Sequence, residues 1–204
     1  WTDLWALKSD IQLNPFFGEE QFGTNYLWMH QISTVEISQK NPDIVYLAVG
    51  GRDNGIGISP TVRPTLMKST SGFTDGNLNE SNPTFVDLTS NLPTLNSGYT
   101  PVITGIAIDP NDDEHVYISF TGYYEGYKVW ETTDGGSNWS SADPAITLYN
   151  LPVNDIVIQD GTSSTTGNSR IFIATDAGVY CKDVGETCWL RFGDMPNVRV
   201  LELM

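Results

Sequence analysis

Cations are scarce in this chain: ten Lys and Arg stand against 25 Asp and Glu, for a formal charge of −15 and a pI near 4.2. Phosphate backbones and anionic lipid are bound through cations, so nucleic acid is not an expected partner. No apolar run approaches the roughly 18 residues that cross a bilayer, so no transmembrane segment is expected. The opening WTDLWALKSD has neither the basic flank nor the apolar stretch of a signal peptide. Only two histidines, His30 and His115, accompany two cysteines, too few at any normal spacing for a Cys and His zinc set. Nucleophile elbow, phosphate loop and HExxH are all missing. No segment carries helical periodicity. What is present is ordinary for a folded chain: 204 residues, 39% apolar and 17% charged, enough to bury a core and too apolar for disorder.

The organisation comes from an internal repeat. TVEISQKNPDIVYLA from Thr34 and GIAIDPNDDEHVYIS from Gly105 align without a gap. Each has alternating apolar residues, a polar turn with proline, then a second apolar strand. A third copy starts at Asp155 as DIVIQD and resumes at Arg170 as RIFIAT, after the polar insertion GTSSTTGNS, which reads as a loop. A fourth starts at Val198 as VRVLELM. Period-2 alternation with frequent turn signals predicts an all-β chain.

Each copy has a second half. VWETTDGGSNW, Val129 to Trp139, shares its frame with Val179 to Trp189, and both read as a hairpin of a third and a fourth strand. The frame repeats but the acid does not: Asp134 corresponds to Val184, while Gly135 corresponds to Gly185. A residue that is replaced in a repeated frame is read as a turn former. An Asp carboxylate accepts backbone N–H groups of its own turn, and glycine takes positive φ without a Cβ clash. The tryptophan that follows is expected to pack between neighbouring units.

The stretch TTDGGSNW, Thr132 to Trp139, resembles the Asp-box (BNR) repeat, with Thr132, Asp134, Gly135, Gly136 and Trp139 at its positions. IAIDP, VYIS, LYNLPVNDIVI, IFIATDAGVY and MPNVRVLEL are similar to the blades of sortilin-like and xyloglucanase-like β-propellers. They also resemble uncharacterised propellers of large bacterial proteins, many exported by a type IX system, over about residues 32 to 204. The resemblance implies a β-propeller of four-stranded antiparallel blades, about three of them complete, with partial blades at both ends. The expected layout is residues 1–4 as the last strand of a preceding blade, 5–31 as a connecting insertion, and 32–92, 101–151 and 153–192 as blades. Residues 197–204 would be the first strand of the next. Closed propellers have about four to eight blades, so the remaining blades are expected in the same longer chain. A secreted or cell-surface bacterial location follows from the same resemblance.

Function is read as glycan or protein recognition without catalysis. Sialidase-like propellers hold a carboxylate with three arginines, whereas this chain has five scattered ones and no Phe/Tyr-Arg-Ile-Pro motif. A xyloglucanase-like glycoside hydrolase is the alternative. It would need two carboxylates across a cleft, for which Asp53, Glu125 and Asp176 are the candidates, each otherwise a solvated loop acid. For binding, GYYEGY places Tyr123, Tyr124 and Tyr127 on one loop, where rings can stack on sugars or proteins or simply cover a sheet edge. No cofactor is expected. DPNDDE, Asp109 to Glu114, offers oxygen ligands of the kind calcium takes, without EF-hand spacing, and reads as a polar hairpin turn. Cys181 and Cys188 correspond to Glu131 and Asn138, which this register sets opposite each other. Opposed Cβ atoms lie about 4.5–5.5 Å apart, within reach of a disulfide after modest adjustment. A disulfide there would replace the missing Asp as a clamp and mark an oxidising compartment; the alternative is two reduced thiols.

Overall fold

Among the described residues, twelve strands form three separate four-stranded antiparallel sheets, each with its strands in sequence order. The computed structural model describes residues 31–50, 64–69, 85–95, 100–161 and 168–204. The first sheet holds β1 (Gln31–Ile37), β2 (Val45–Gly50), β3 (Thr65–Ser69) and β4 (Phe85–Asp87). The second holds β5 (Ile103–Asp109), β6 (Asp112–Phe120), β7 (Val129–Thr132) and β8 (Ser140–Ser141). The third holds β9 (Val153–Gln159), β10 (Arg170–Thr175), β11 (Gly178–Asp183) and β12 (Leu190–Arg191). The three first strands pack side by side, β1 on β5 and β5 on β9. These are three blades of an incomplete β-propeller, as the sequence predicts.

Strand alternation explains the core. On β6, Val116, Ile118 and Phe120 enter a cluster with Tyr46, Leu66 and Leu88 of the first blade. Tyr117, between them, points the other way and joins Ile156, Ile171 and Ile173 of the third. β5 splits likewise, with Ile106 and Ile108 on one side and Ala107 on the other. A register shift between Ile103 and Gly105 brings Ile103 onto the Ile106 side. The middle blade is therefore covered on both faces, and its inner strands carry short apolar runs, ITGIAI from Ile103 and VYISF from Val116. By contrast Ile32, Val35 and Ile37 of β1 are about half exposed.

The outer hairpins of the second and third blades seat on the stretch that leaves the preceding blade. Gly136 and Trp139 lie against Leu88, and the Asn91 amide donates to the Gly136 carbonyl at 3.1 Å. One blade on, the Trp189 indole N–H donates to the Ala142 carbonyl at 3.2 Å, and Trp189 N–H to Thr147 Oγ1 at 2.8 Å. The tryptophans thus sit between units, just before the outer strands.

Two expectations are corrected. Cys181 and Cys188 are free thiols, the first half-buried and the second exposed. Cys181 lies opposite Leu190, and in the second blade Glu131 lies opposite Ser140 rather than Asn138. The turn is wider than a tight Asp-Gly hairpin, which moves every cross-strand partner two residues along. Residues 197–204 form no strand. Their N–H groups are taken singly, Val200 by the Thr175 carbonyl and Leu203 by Asp155 Oδ2, both at 2.9 Å, so no ladder develops. Trp1 to Leu4, most of the 5–31 insertion, His30 and Asp53 lie outside the described residues.

Two outcomes follow from this packing. Gly135 has φ +67°, and a Cβ there would sit 2.0 Å from Glu114 Oε2 and 2.4 Å from Lys68 Nζ. Gly135→Ala is expected to lower unfolding free energy by about 1–3 kcal/mol, measured by urea denaturation. Glu36 on β1 is pushed up to about 7, first by burial and then by Asp155 on β9. A raised carboxyl contributes stability below the unfolded value near 4.5 and loses it as pH rises through 7. Glu36→Gln should therefore gain on the wild type between pH 4.5 and 7, by on the order of 2 kcal/mol; a pH-independent difference in melting temperature would contradict this.

Candidate functional site

In sequential antiparallel blades, the first and third connections leave at one end of the sheet. The second connection and the link to the next blade leave at the other. This separates the sequence candidates onto two rims.

The first rim carries the Asp134 turn and the β5–β6 turn, joined by the Gly135 N–H to the Glu114 carbonyl at 3.0 Å. Thr132 Oγ1 donates to Asp134 Oδ1 at 2.7 Å and accepts the Gly136 N–H at 2.9 Å. Asn138 supplies its side-chain amide to Oδ2 at 2.7 Å and its backbone N–H to Oδ1 at 2.8 Å. Those bonds, with Asn138 foremost, hold the exposed Asp134 carboxyl down at about 2. Both of its oxygens are committed, so Asp134 is a turn clamp and has no proton to give at neutral pH. Gly135 and Gly136 follow it with φ +67° and +94°.

In the third blade, Lys182 occupies the place of Thr132. Its ammonium donates to the carbonyls of Glu186, in its own turn, and Ala142, in the preceding blade, at 3.0 and 2.7 Å. It also lies 5.3 Å over the Trp189 ring. Burial pulls its pKa down, against the neighbouring Glu131 and Asp143. A buried lysine therefore does the clamping that the sequence reading gave to a disulfide.

The DPNDDE acids are engaged by the protein itself. Asp109 accepts the Asn111 N–H at 2.9 Å, and Asp112 accepts the Glu114 N–H at 3.1 Å. Asp113 accepts the Ser38 hydroxyl, and Glu114 pairs with Lys68 at 3.1 Å. With Asn111 donating to Asp160 at 2.7 Å, this rim ties all three blades together. Among the described residues no group of three or more His, Cys, Asp or Glu is arranged to hold a metal ion. His115 lies 3.7 Å from Asp109 and 3.6 Å from Glu131. Glu131 is held low against the cost of burial, chiefly by His115.

The second rim brings two other candidates together. Tyr123, on the β6–β7 loop, is 65% exposed, and its hydroxyl reaches Asp176 Oδ2 at 3.5 Å, at the outer limit of a hydrogen bond. Asp176, in the β10–β11 turn, also accepts the Asn154 amide and faces Arg199 Nε on Oδ1, both at 3.0 Å. Glu125 is exposed on the same loop as Tyr123. Tyr124 keeps part of its ring in solvent, while Tyr127 is turned inward: its hydroxyl donates to the Thr94 carbonyl at 2.5 Å and its ring packs on Trp130. Arg199, Asn154 and the buried Lys128 beneath this loop escaped the sequence reading. Their only signal was a cation or amide beside an apolar strand, which has no defined spacing.

No family model matches the sequence, and no curated protein matches it. Among solved structures, a GH74 enzyme from Niastella koreensis superposes with a TM-score of 0.50 at 20% identity, over 80% of this chain and 22% of that one. A GH74 xyloglucanase from Xanthomonas campestris does so with a TM-score of 0.50 at 14% identity, over 81% and 24% respectively. At these identities the likeness defines the fold, a β-propeller. The chain spans about a quarter of the length of either enzyme.

The clamp at Asp134 has a defined pH window. A carboxyl held at about 2 contributes stability above the unfolded value near 3.8 and loses it as pH falls through 2. Asp134→Ala is expected to melt a few degrees lower at pH 7, with the gap to wild type closing between pH 4 and pH 2 in acid-dependent thermal melts.

Proposed function

We propose that this chain is part of a secreted or cell-surface propeller that recognises a glycan or protein through its second rim, without catalysis. The observation that carries the reading is Tyr123, which spans from one blade to Asp176 of the next while leaving most of its ring in solvent. A rigid aromatic beside an oriented carboxylate is the usual make-up of a sugar-binding or protein-binding contact. Asp176 supports binding better than proton transfer, because Arg199, Asn154 and Tyr123 already occupy its oxygens. The Thr132 to Trp139 turn, with its Thr and Asp bonds, supports an Asp-box assignment and a structural role there. With both thiols free, the location rests on the sequence resemblance alone.

The second reading is a glycoside hydrolase, favoured by the fold it shares with GH74 enzymes. It would pair Glu125 or Asp176 with a carboxylate elsewhere in a longer protein. Affinity electrophoresis in gels cast with neutral plant and microbial polysaccharides, beside a reducing-end assay, separates the two. Recognition predicts retardation without new reducing ends, weakened about tenfold or more by Tyr123→Ala. Released reducing ends would establish the hydrolase instead, and no retention on any polysaccharide or protein array would remove the recognition reading.

A further inference from the structure

A lysine lies under the exposed tyrosines. Lys128, just before β7, is 1% exposed. Its ammonium donates to the Gly122 carbonyl at 2.8 Å, its one hydrogen-bond partner among the described residues. Removing an ammonium from water costs several kcal/mol unless paired, and burial is the one cause that brings this group down to about 8. The sequence keeps a costly charge where methionine would fill the space, so what the ammonium holds matters.

It holds the start of the aromatic loop. Gly122 has φ +94°, and a Cβ there would lie 2.7 Å from the Tyr124 ring, so the backbone presses against that ring. The loop then closes with Tyr127 N–H on the Tyr124 carbonyl at 3.1 Å, and Phe120 N–H on the Lys128 carbonyl at 2.9 Å returns it to the sheet. Tyr123 follows directly after the carbonyl that Lys128 grips, and is the residue that reaches Asp176.

We infer that Lys128 is a positioning residue, whose buried side chain fixes the Gly122 carbonyl from below and thereby sets how Tyr123 is presented beside Asp176. This rests on the proposed reading that Tyr123 contacts a ligand. A charged donor binds a carbonyl more strongly than a neutral amine, so the loop loosens as the ammonium loses its proton.

Amide hydrogen exchange on the 204-residue chain tests this, with rates corrected for intrinsic exchange. In wild type, protection of residues 121–127 should fall about tenfold between pH 7 and pH 9.5, with β5 and β6 unchanged. Lys128→Met should show the low protection at both pH values. Equal protection in Lys128→Met and wild type at pH 7, or a wild-type loop indifferent to pH, overturns the role. If the variant does not fold, the wild-type pH series decides. On a polysaccharide that retains wild type, Lys128→Met should lose retention as Tyr123→Ala does, and the wild type should lose it through pH 8. Retention unaffected by Lys128→Met also overturns the role. A loop that loosens in a wild type retained by no ligand sinks the recognition reading and leaves Lys128 as the loop's anchor.

Discussion

The second and third blades are each held by the seat the outer hairpin takes on the chain leaving the blade before it. A four-stranded twisted sheet has two faces, and alternation gives each inner strand apolar residues on both. Such a sheet is covered on both faces only between two neighbours. Gly136 and Trp139 against Leu88 and Asn91, then Trp189 and Lys182 against Ala142 and Thr147, repeat one geometry with different residues. The middle blade, seated on both sides, buries nearly all of β5 and the Val116–Phe120 half of β6, while β1 leaves three large aliphatic side chains half exposed.

That seat also divides the chemistry. It draws the third connection of the second and third blades toward the first connection of the same blade, so one rim becomes a mesh of carboxylates answered by Lys68, Ser38, Asn111 and backbone N–H groups. An acid in this mesh is spent on holding turns, which is why Asp134 is ionised so readily. The opposite rim, free of this duty, carries the exposed tyrosines and the Asp176 cluster. There the packing of two adjacent blades brings a loop of one against a turn of the next.

Much of the fold was legible from local pattern. The alternation in IAIDP and VYIS, the turn residues between, and the ten-residue frame ending in tryptophan all reflect short-range constraints on backbone and burial. Register was less legible. The hairpin frame sets Cys181 opposite Cys188, but the third blade's turn, which Lys182 grips at Glu186, is wider and puts Leu190 opposite Cys181. A one-step change in a turn's centre moves every pair by two residues, and nothing in the adjacent apolar pattern resists it. The third blade's clamp was hidden for a different reason: Lys182 reaches Glu186 in its own turn and Ala142 from the blade before, and the second of these contacts no spacing rule foresees.

By itself, the sequence determined an all-β chain of repeated four-stranded units, with Asp134 and its glycines at a turn, because strand period and turn chemistry act between residues close along the chain. Only the tertiary structure decided which acids are occupied, which tyrosines face solvent, and that Tyr123 meets Asp176, the carboxylate that Asn154 and Arg199 also contact. Those groups are 31 to 76 residues from Tyr123 in the numbering, and only the packing of successive blades brings them together.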